Sequence, residues 1–82
     1  MNVIIDGNIV GELSGTFQHG IFIDNITGLT VSDNQTNTTT NGIAVGGGVT
    51  NYVISGNRMK GAGLADGGVG TKYVPVGGNI NY

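Results

Sequence analysis

The hexapeptide Tyr52-Val53-Ile54-Ser55-Gly56-Asn57 decides the fold. A large apolar residue, a variable one and a β-branched aliphatic are followed by small residues and an Asn, which reads as a short strand with one buried face running into a turn. The same pattern stands upstream at Leu29-Thr30-Val31-Ser32-Asp33-Asn34 and Val3-Ile4-Ile5-Asp6-Gly7-Asn8, and downstream at Val74-Pro75-Val76-Gly77-Gly78-Asn79. The Asn residues are spaced by 26, 23 and 22 positions. Five and three positions before them lie Val3, Leu29, Tyr52 and Val74, then Ile5, Val31, Ile54 and Val76, apolar in every copy. Between them lie Ile4, Thr30, Val53 and Pro75, the mixed set of an outward face.

A second strand recurs between successive Asn residues, at Gly20-Ile21-Phe22-Ile23-Asp24, Gly42-Ile43-Ala44-Val45-Gly46 and, more weakly, Gly63-Leu64-Ala65-Asp66-Gly67. Ile21, Ile43 and Leu64 point inward on this reading, and Phe22 outward. The links differ: Val10 to His19 is long, Thr36 to Asn41 polar, Met59 to Ala62 short. Variable excursions between constant strands are what a coiled solenoid tolerates. A unit of about 22–26 residues with two or three short strands cannot bury its own face, so copies must stack at the inter-strand spacing.

The expected fold is therefore all-β, a right-handed parallel β-helix (solenoid) of about three rungs, with no significant helix. Residues 1–82 form one module, with rungs near 3–28, 29–51 and 52–73 and a terminal partial rung at 74–82. Asn8, Asn34, Asn57 and Asn79 form its structural ladder, as residues that tolerate a left-handed bend and whose amides hydrogen-bond along the stack. A leucine-rich repeat would need a Leu-x-x-Leu-x-Leu run, which is absent. Helix is excluded because interior Gly costs about 1 kcal/mol and no gap between glycines holds a helical apolar stripe.

Composition narrows the function. The 82 residues include 17 Gly, one Pro and no Cys, with 10% charged residues and a net charge of −2. No Cys excludes disulfides, thiolate metal sites and a Cys nucleophile. A single His excludes a metal site built on two imidazoles. Three basic residues against five acidic ones argue against nucleic acid, where several phosphates must be neutralised. No apolar run approaches the roughly 20 residues of a membrane span, so no membrane insertion is expected, and residues 1–6 lack the basic start and apolar stretch of a secretory leader. Met1 and Asn2 run directly into a strand, so the first rung is expected to stack on a partner chain or on more polypeptide.

The Gly-Ile-x-Val segments and Val-x-Ile-Ser-Gly-Asn turns resemble the rungs of the pectate-lyase-like β-helix superfamily, closest in style to phage tailspikes and tail fibres. An Asn ladder at one corner is common there. The resemblance implies a structural or receptor-binding module, a homotrimer or a stack on another β-helical chain, contacting surface polysaccharide and located in the virion tail, or otherwise extracellular. The alternatives are a fragment of a polysaccharide depolymerase, hydrolase or lyase, and a chain that templates assembly of a larger spike.

Glycosidases need two carboxylates flanking one bond. Glu12, in the longest excursion, is the candidate acid, Asp24 its partner and His19 the orienting group. The lyases' basic catalytic residue has no counterpart. Asp6 and Asp33 are offset by one position between rungs and read as turn residues, so neither metal nor cofactor is expected. Phe22, Thr38 and Asn41 are the ligand or interface candidates, within or beside the excursions whose Asn, Thr and Gln suit sugar hydroxyls. Tyr52 and Tyr73 are expected in the core. Gly46-Gly47-Gly48 and Gly67-Gly68 read as corner turns.

Overall fold

The computed structural model describes residues 2–11, 19–38 (His19 by its backbone) and 40–82. Every element in it is a strand, and every strand pairing is parallel. The first rung holds β1 (Val3–Asp6), β2 (Ile9–Gly11) and β3 (His19–Ile23). The second holds β4 (Thr27–Ser32), β5 (Gln35–Thr38) and β6 (Asn41–Val45). The third holds β7 (Thr50–Ser55), β8 (Arg58–Gly61) and β9 (Leu64–Asp66), and a partial fourth holds β10 (Val69–Tyr73) and β11 (Ile80–Asn81). Stacking makes three sheets, ordered β1-β4-β7-β10, β2-β5-β8-β11 and β3-β6-β9. The chain is a parallel β-solenoid of about three turns.

Register converts the repeat into a core. Val3 pairs with Leu29 and Leu29 with Tyr52; Ile5 pairs with Val31 and Val31 with Ile54; Ile21 pairs with Ile43 and Ile43 with Leu64. Leu29, Val31, Ile43, Val45, Val49, Tyr52, Ile54 and Met59 are buried in one cluster, with Val3, Ile5, Ile21 and Leu64 packed on its flanks. These flanking residues lie on β1, β3 and β9, edge strands of their sheets with a neighbour on one side only.

The second sheet is a strand path that the repeat pattern treats as links. Its period-2 signal is muted because β5, Gln35-Thr36-Asn37-Thr38, is polar on both faces. Thr36 and Thr38 nevertheless point inward, 2% and 3% exposed, in line with Met59 of β8. Thr is β-branched and fits a pleated surface, so its shape takes the core position. The corner into the third sheet needs glycine: a Cβ on Gly42 would collide with the Thr36 side chain, Met59 and the Ala62 carbonyl.

The ladder Asn is not the residue that bends the chain at its corner, although Asn25 and Asn51 take left-handed φ of 56° and 55° elsewhere. The left-handed positions at the ladder corner are the residues just before the Asn, Gly7, Asp33 and Gly56, with φ of 71°, 55° and 74°. That bend frees each Asn to point along the axis. The Asn8 N–H and Nδ2 donate to Asn34 Oδ1 at 2.9 and 3.0 Å; Asn34 does the same to Asn57 Oδ1 at 3.0 and 2.9 Å, and Asn57 to Asn79 Oδ1 at 3.3 and 2.8 Å. Each amide also reaches back one rung, from Asn34 to the Ile5 carbonyl, Asn57 to Val31 and Asn79 to Ile54. Asn34 and Asn57 are wholly buried.

The fourth rung departs from the expected register. Val69 pairs with Thr50 but Lys72 with Tyr52, so β10 carries one extra residue. A one-residue slip sends side chains to the opposite face. Tyr73 therefore pairs with Val53 and is 61% exposed, not in the core as expected, and Val76 is fully exposed. The expected strand at 74–79 is a turn, closed by the Gly78 N–H on the Pro75 carbonyl at 3.0 Å; the strand of that rung is β10. Only Val74 of that segment still packs on the core.

Two stability outcomes follow from these buried polar groups. Asn57→Ala strands the Asn34 amide and the Val31 carbonyl, and urea unfolding should show a loss of about 2–3 kcal/mol, against under about 1 kcal/mol for Asn8→Ala at the exposed end. The buried Thr36 hydroxyl has no hydrogen-bond partner among the described residues. Thr36→Val keeps its shape and removes that oxygen, so the urea midpoint should rise, by about 1 kcal/mol in stability.

Candidate functional site

Glu12 lies outside the described residues, as does the His19 side chain. His19 and Asp24 stand at opposite ends of β3, about 16 Å apart along an extended chain. Asp24 closes a turn: its Oδ1 accepts the N–H of Asn25 at 2.8 Å and of Gly48 at 2.9 Å. A Cβ on Gly46 or Gly48 would strike this carboxylate, so the glycine run makes room for it. Asp6 accepts a hydrogen bond from Ser32 Oγ at 3.1 Å across the rungs. The described residues hold no group of three or more His, Cys, Asp or Glu able to bind a metal ion.

Of the ligand candidates, Phe22 is 61% exposed on the outer face of the third sheet, beside the register partner Ala44. Thr38 is an interior residue whose hydroxyl donates to the Asn41 carbonyl at 2.8 Å, so it is not presented to a ligand in the way its place in a polar excursion suggests. Asn41 opens β6 half-buried, its carbonyl engaged by that hydroxyl.

A side-chain cluster absent from the sequence reading joins Tyr52 of β7, Asp66 at the end of β9 and Lys72 of β10. Tyr52 Oη donates to Asp66 Oδ1, Lys72 Nζ lies 3.2 Å from Asp66 Oδ2, and the Gly68 N–H donates to Asp66 Oδ1 at 3.2 Å. Lys72 also stands 5.9 Å from the Tyr52 ring centre. Asp66 occupies the register position of Val45, where an aliphatic would extend the core. Burial pushes the Asp66 carboxyl up, but the hydrogen bonds from Tyr52, Lys72 and Gly68 outweigh it and hold it below its ordinary value. Burial, then the bond to Asp66, pushes the Tyr52 hydroxyl above its own. The bond to Asp66 raises Lys72.

The outer faces of the first two sheets differ in character. On the first, Ile4, Thr30, Val53 and Tyr73 follow one another rung by rung and line an open, largely apolar groove. On the second, Ile9, Gln35, Arg58 and Ile80 form one outward row, and Gly11, Asn37 and Lys60 the next, with Tyr82 beside Lys60. The groove between these rows is lined by Ile9, Gln35, Asn37, Lys60 and Tyr82, and the Arg58 guanidinium lies over the Tyr82 ring, 5.4 Å from its centre. An exposed aromatic edge, two amides and two cations on a rigid sheet can hydrogen-bond and stack a polar ligand. The signal in the sequence was the alternation Gln35-Thr36-Asn37-Thr38 and Arg58-Met59-Lys60, legible once a third strand per rung is admitted.

The described residues form a parallel β-solenoid whose outer faces include a largely apolar groove and a polar one that Lys60 lines. No family model, curated protein or solved structure matches the chain.

The Tyr52–Asp66–Lys72 cluster sets a pH window. Asp66, lowered below its ordinary 3.8, stabilises the fold above that value and loses the contribution as pH falls through its folded value; Tyr52, raised above 10.0, stabilises below 10 and loses it as pH climbs through its folded value. Urea midpoints measured from pH 2 to 11 should fall at both ends, and Asp66→Asn should flatten the acid limb and reduce the alkaline one.

Proposed function

We propose that this chain is a structural and receptor-binding β-helical module of an oligomeric tailspike or tail fibre, of the pectate-lyase-like kind, contacting surface polysaccharide. The observation that carries this reading is the groove on the outer face of the second sheet. Its amides suit sugar hydroxyls, its tyrosine offers a stacking surface, and its central strands β5 and β8 are held on both flanks by backbone pairing, so they need little ordering on binding.

The apolar row Ile4, Thr30, Val53 and Tyr73 supports the oligomeric part, because contiguous exposed apolar surface marks an association face. Phe22 projects from a different sheet. A single two-fold contact would not cover the two faces together. A cyclic trimer uses a different patch on each side of every protomer, so one copy's Ile4–Val53 row can meet its neighbour's Phe22. Asp24 serves as a turn cap in this reading, which favours binding over cleavage.

Light scattering after gel filtration should give a mass of about three times 8.3 kDa. The paired substitutions Val53→Asp and Tyr73→Asp, both on the outward face, should return it to a folded monomer. A wild-type monomer would remove the trimer. Surface polysaccharide incubated with the chain should yield no new reducing or unsaturated ends; their release, abolished by Glu12→Gln, would replace the binding module with a depolymerase.

A further inference from the structure

The fourth rung is built unlike the three beneath it. In the first sheet Val3 and Ile5, Leu29 and Val31, then Tyr52 and Ile54 take the inward positions, but Lys72 stands in register with Tyr52. In the second sheet Asn81 stands in register with buried Met59. Val74 is the one apolar residue of this rung that packs against the core, whereas the first rung contributes Val3, Ile5 and Ile21. Every residue of β10 is exposed, and the strand meets β7 at Val69 and then only at Lys72 and Tyr73. Apolar burial is the main cohesive force between stacked strands, and here it is nearly missing.

Hydrogen bonds hold the fourth rung instead. The N–H groups of Val69, Ile80 and Tyr82 donate to the Val49, Asn57 and Met59 carbonyls at 3.0, 2.8 and 2.9 Å, and Gly56 and Gly61 donate the other way, to the Gly78 and Tyr82 carbonyls. Asn57 donates to Asn79 Oδ1, and Asn79 donates to the Ile54 carbonyl. The Lys72–Asp66 ion pair and the Arg58–Tyr82 contact are surface tethers of the kind that add little. Backbone bonds near solvent with few buried apolar contacts mark a segment that opens well below the free energy of global unfolding. Its root is fixed and its first turn is pliant. The Gly67 N–H stays on the Val45 carbonyl at 2.8 Å, then Gly68 and Gly70 follow, Gly70 with a left-handed φ of 81°.

We infer that residues 69–82 form a cap that opens as one unit, hinged at Gly68 and Gly70, while the three rungs beneath it stay folded. Closed, the cap shields the edges of β7 and β8 with inward side chains that are mostly polar. Open, it leaves those two strands as sheet edges and frees the Asn57 donors and the Ile54 carbonyl, the groups that a rung bearing a ladder Asn engages. This inference goes beyond the binding and oligomer readings and depends on neither.

The test is native-state hydrogen exchange of the 82-residue chain, followed residue by residue by NMR in urea from zero to about 2 M. Two neighbours in sequence give the sharpest contrast: the Asn57 N–H bonds to Asn79 in the cap, and the Arg58 N–H to the Asn34 carbonyl at 2.8 Å in the second rung. The amides of Val69, Ile80, Tyr82, Gly56, Asn57 and Gly61 should exchange as one set, at least about ten-fold faster than those of Asp33, Thr50 and Arg58. Their urea dependence should be weaker, because opening the cap exposes little surface. Ile43→Val, a mild change at a buried site of the second rung, should speed exchange at Asp33, Thr50 and Arg58 by about two- to ten-fold. It should leave the cap set unchanged, since the closed and cap-open states lose the same contact. Equal urea slopes and an equal response to Ile43→Val in both sets would mean one cooperative unit and overturn the cap. Unrelated rates within the cap, with Gly56 and Gly61 as slow as Arg58, would reduce it to fraying of single residues. The Gly7 amide, which bonds the Ser32 carbonyl at 3.2 Å from the first rung, should follow the slow set. Its joining the cap set would show that any outer rung opens and would overturn the role given to Lys72 and Asn81.

Discussion

Everything in this solenoid depends on keeping successive rungs in register along one axis, and the buried asparagine ladder is the interaction that does it. The buried aliphatic face forbids a slip of one residue, but a slip of two leaves interchangeable aliphatics on the same face, and that is the freedom the ladder removes. An Asn amide has two donors and one acceptor, which must all be met once water is excluded. Asn34 and Asn57 satisfy them only when the rungs above and below place an Asn oxygen and a strand carbonyl at fixed points. A slip by one residue would bury unpaired amides and turn Ile, Val and Leu side chains to solvent. The polar ladder supplies direction and register; the aliphatic stack beside it supplies most of the burial.

That division of labour explains the distribution of chemistry over the surface. With the interior committed to stacking, the outward positions are free to vary from rung to rung, and each sheet face acquires its own character. The first face runs Ile4, Thr30, Val53 and Tyr73; the second sets amides against Arg58, Lys60 and Tyr82. The third presents Phe22 beside Ala44 and Ala65. The middle strands of each face, β4 and β7, β5 and β8, and β6, are fixed by pairing on both flanks, which gives each face a rigid centre. Among the described acidic residues, by contrast, Asp24 caps a turn, Asp33 bends one, and Asp66 ties Tyr52 and Lys72 together where the regular stack gives way.

The repeat was legible because two of the three strands in each rung bury one face, so Val3-Ile4-Ile5 and its copies alternate cleanly, and Phe22 falls on the outward parity. The third strand was not legible as a strand. Thr36 and Thr38 are polar by composition and buried in fact, since their methyl groups and branching match the pleat while their neighbours close off water. The candidate groove was hidden for the same reason, its residues being the outward partners of that strand. Tyr73 and Val76 show the converse: Tyr73 stands where Tyr52 stands in the preceding rung, but the extra residue in β10 sets it opposite Val53, and Val76, three before Asn79, falls in a turn because the strand of that rung is β10.

By itself the sequence determined the all-β class, the period, the two apolar rows and the four ladder positions, because these follow from alternation and spacing along the chain. Tertiary structure alone decided which residue bends at each corner, which side of a strand the threonines take, and which charges end as neighbours. Gly7, Asp33 and Gly56 carry the left-handed backbone, and not the Asn that follows them, since only after that bend can the Asn amide lie along the axis. Arg58 and Tyr82 are 24 positions apart and meet because one further rung brings β11 back beside β8. Such meetings are set by register between rungs, a property of the stack that no single rung contains.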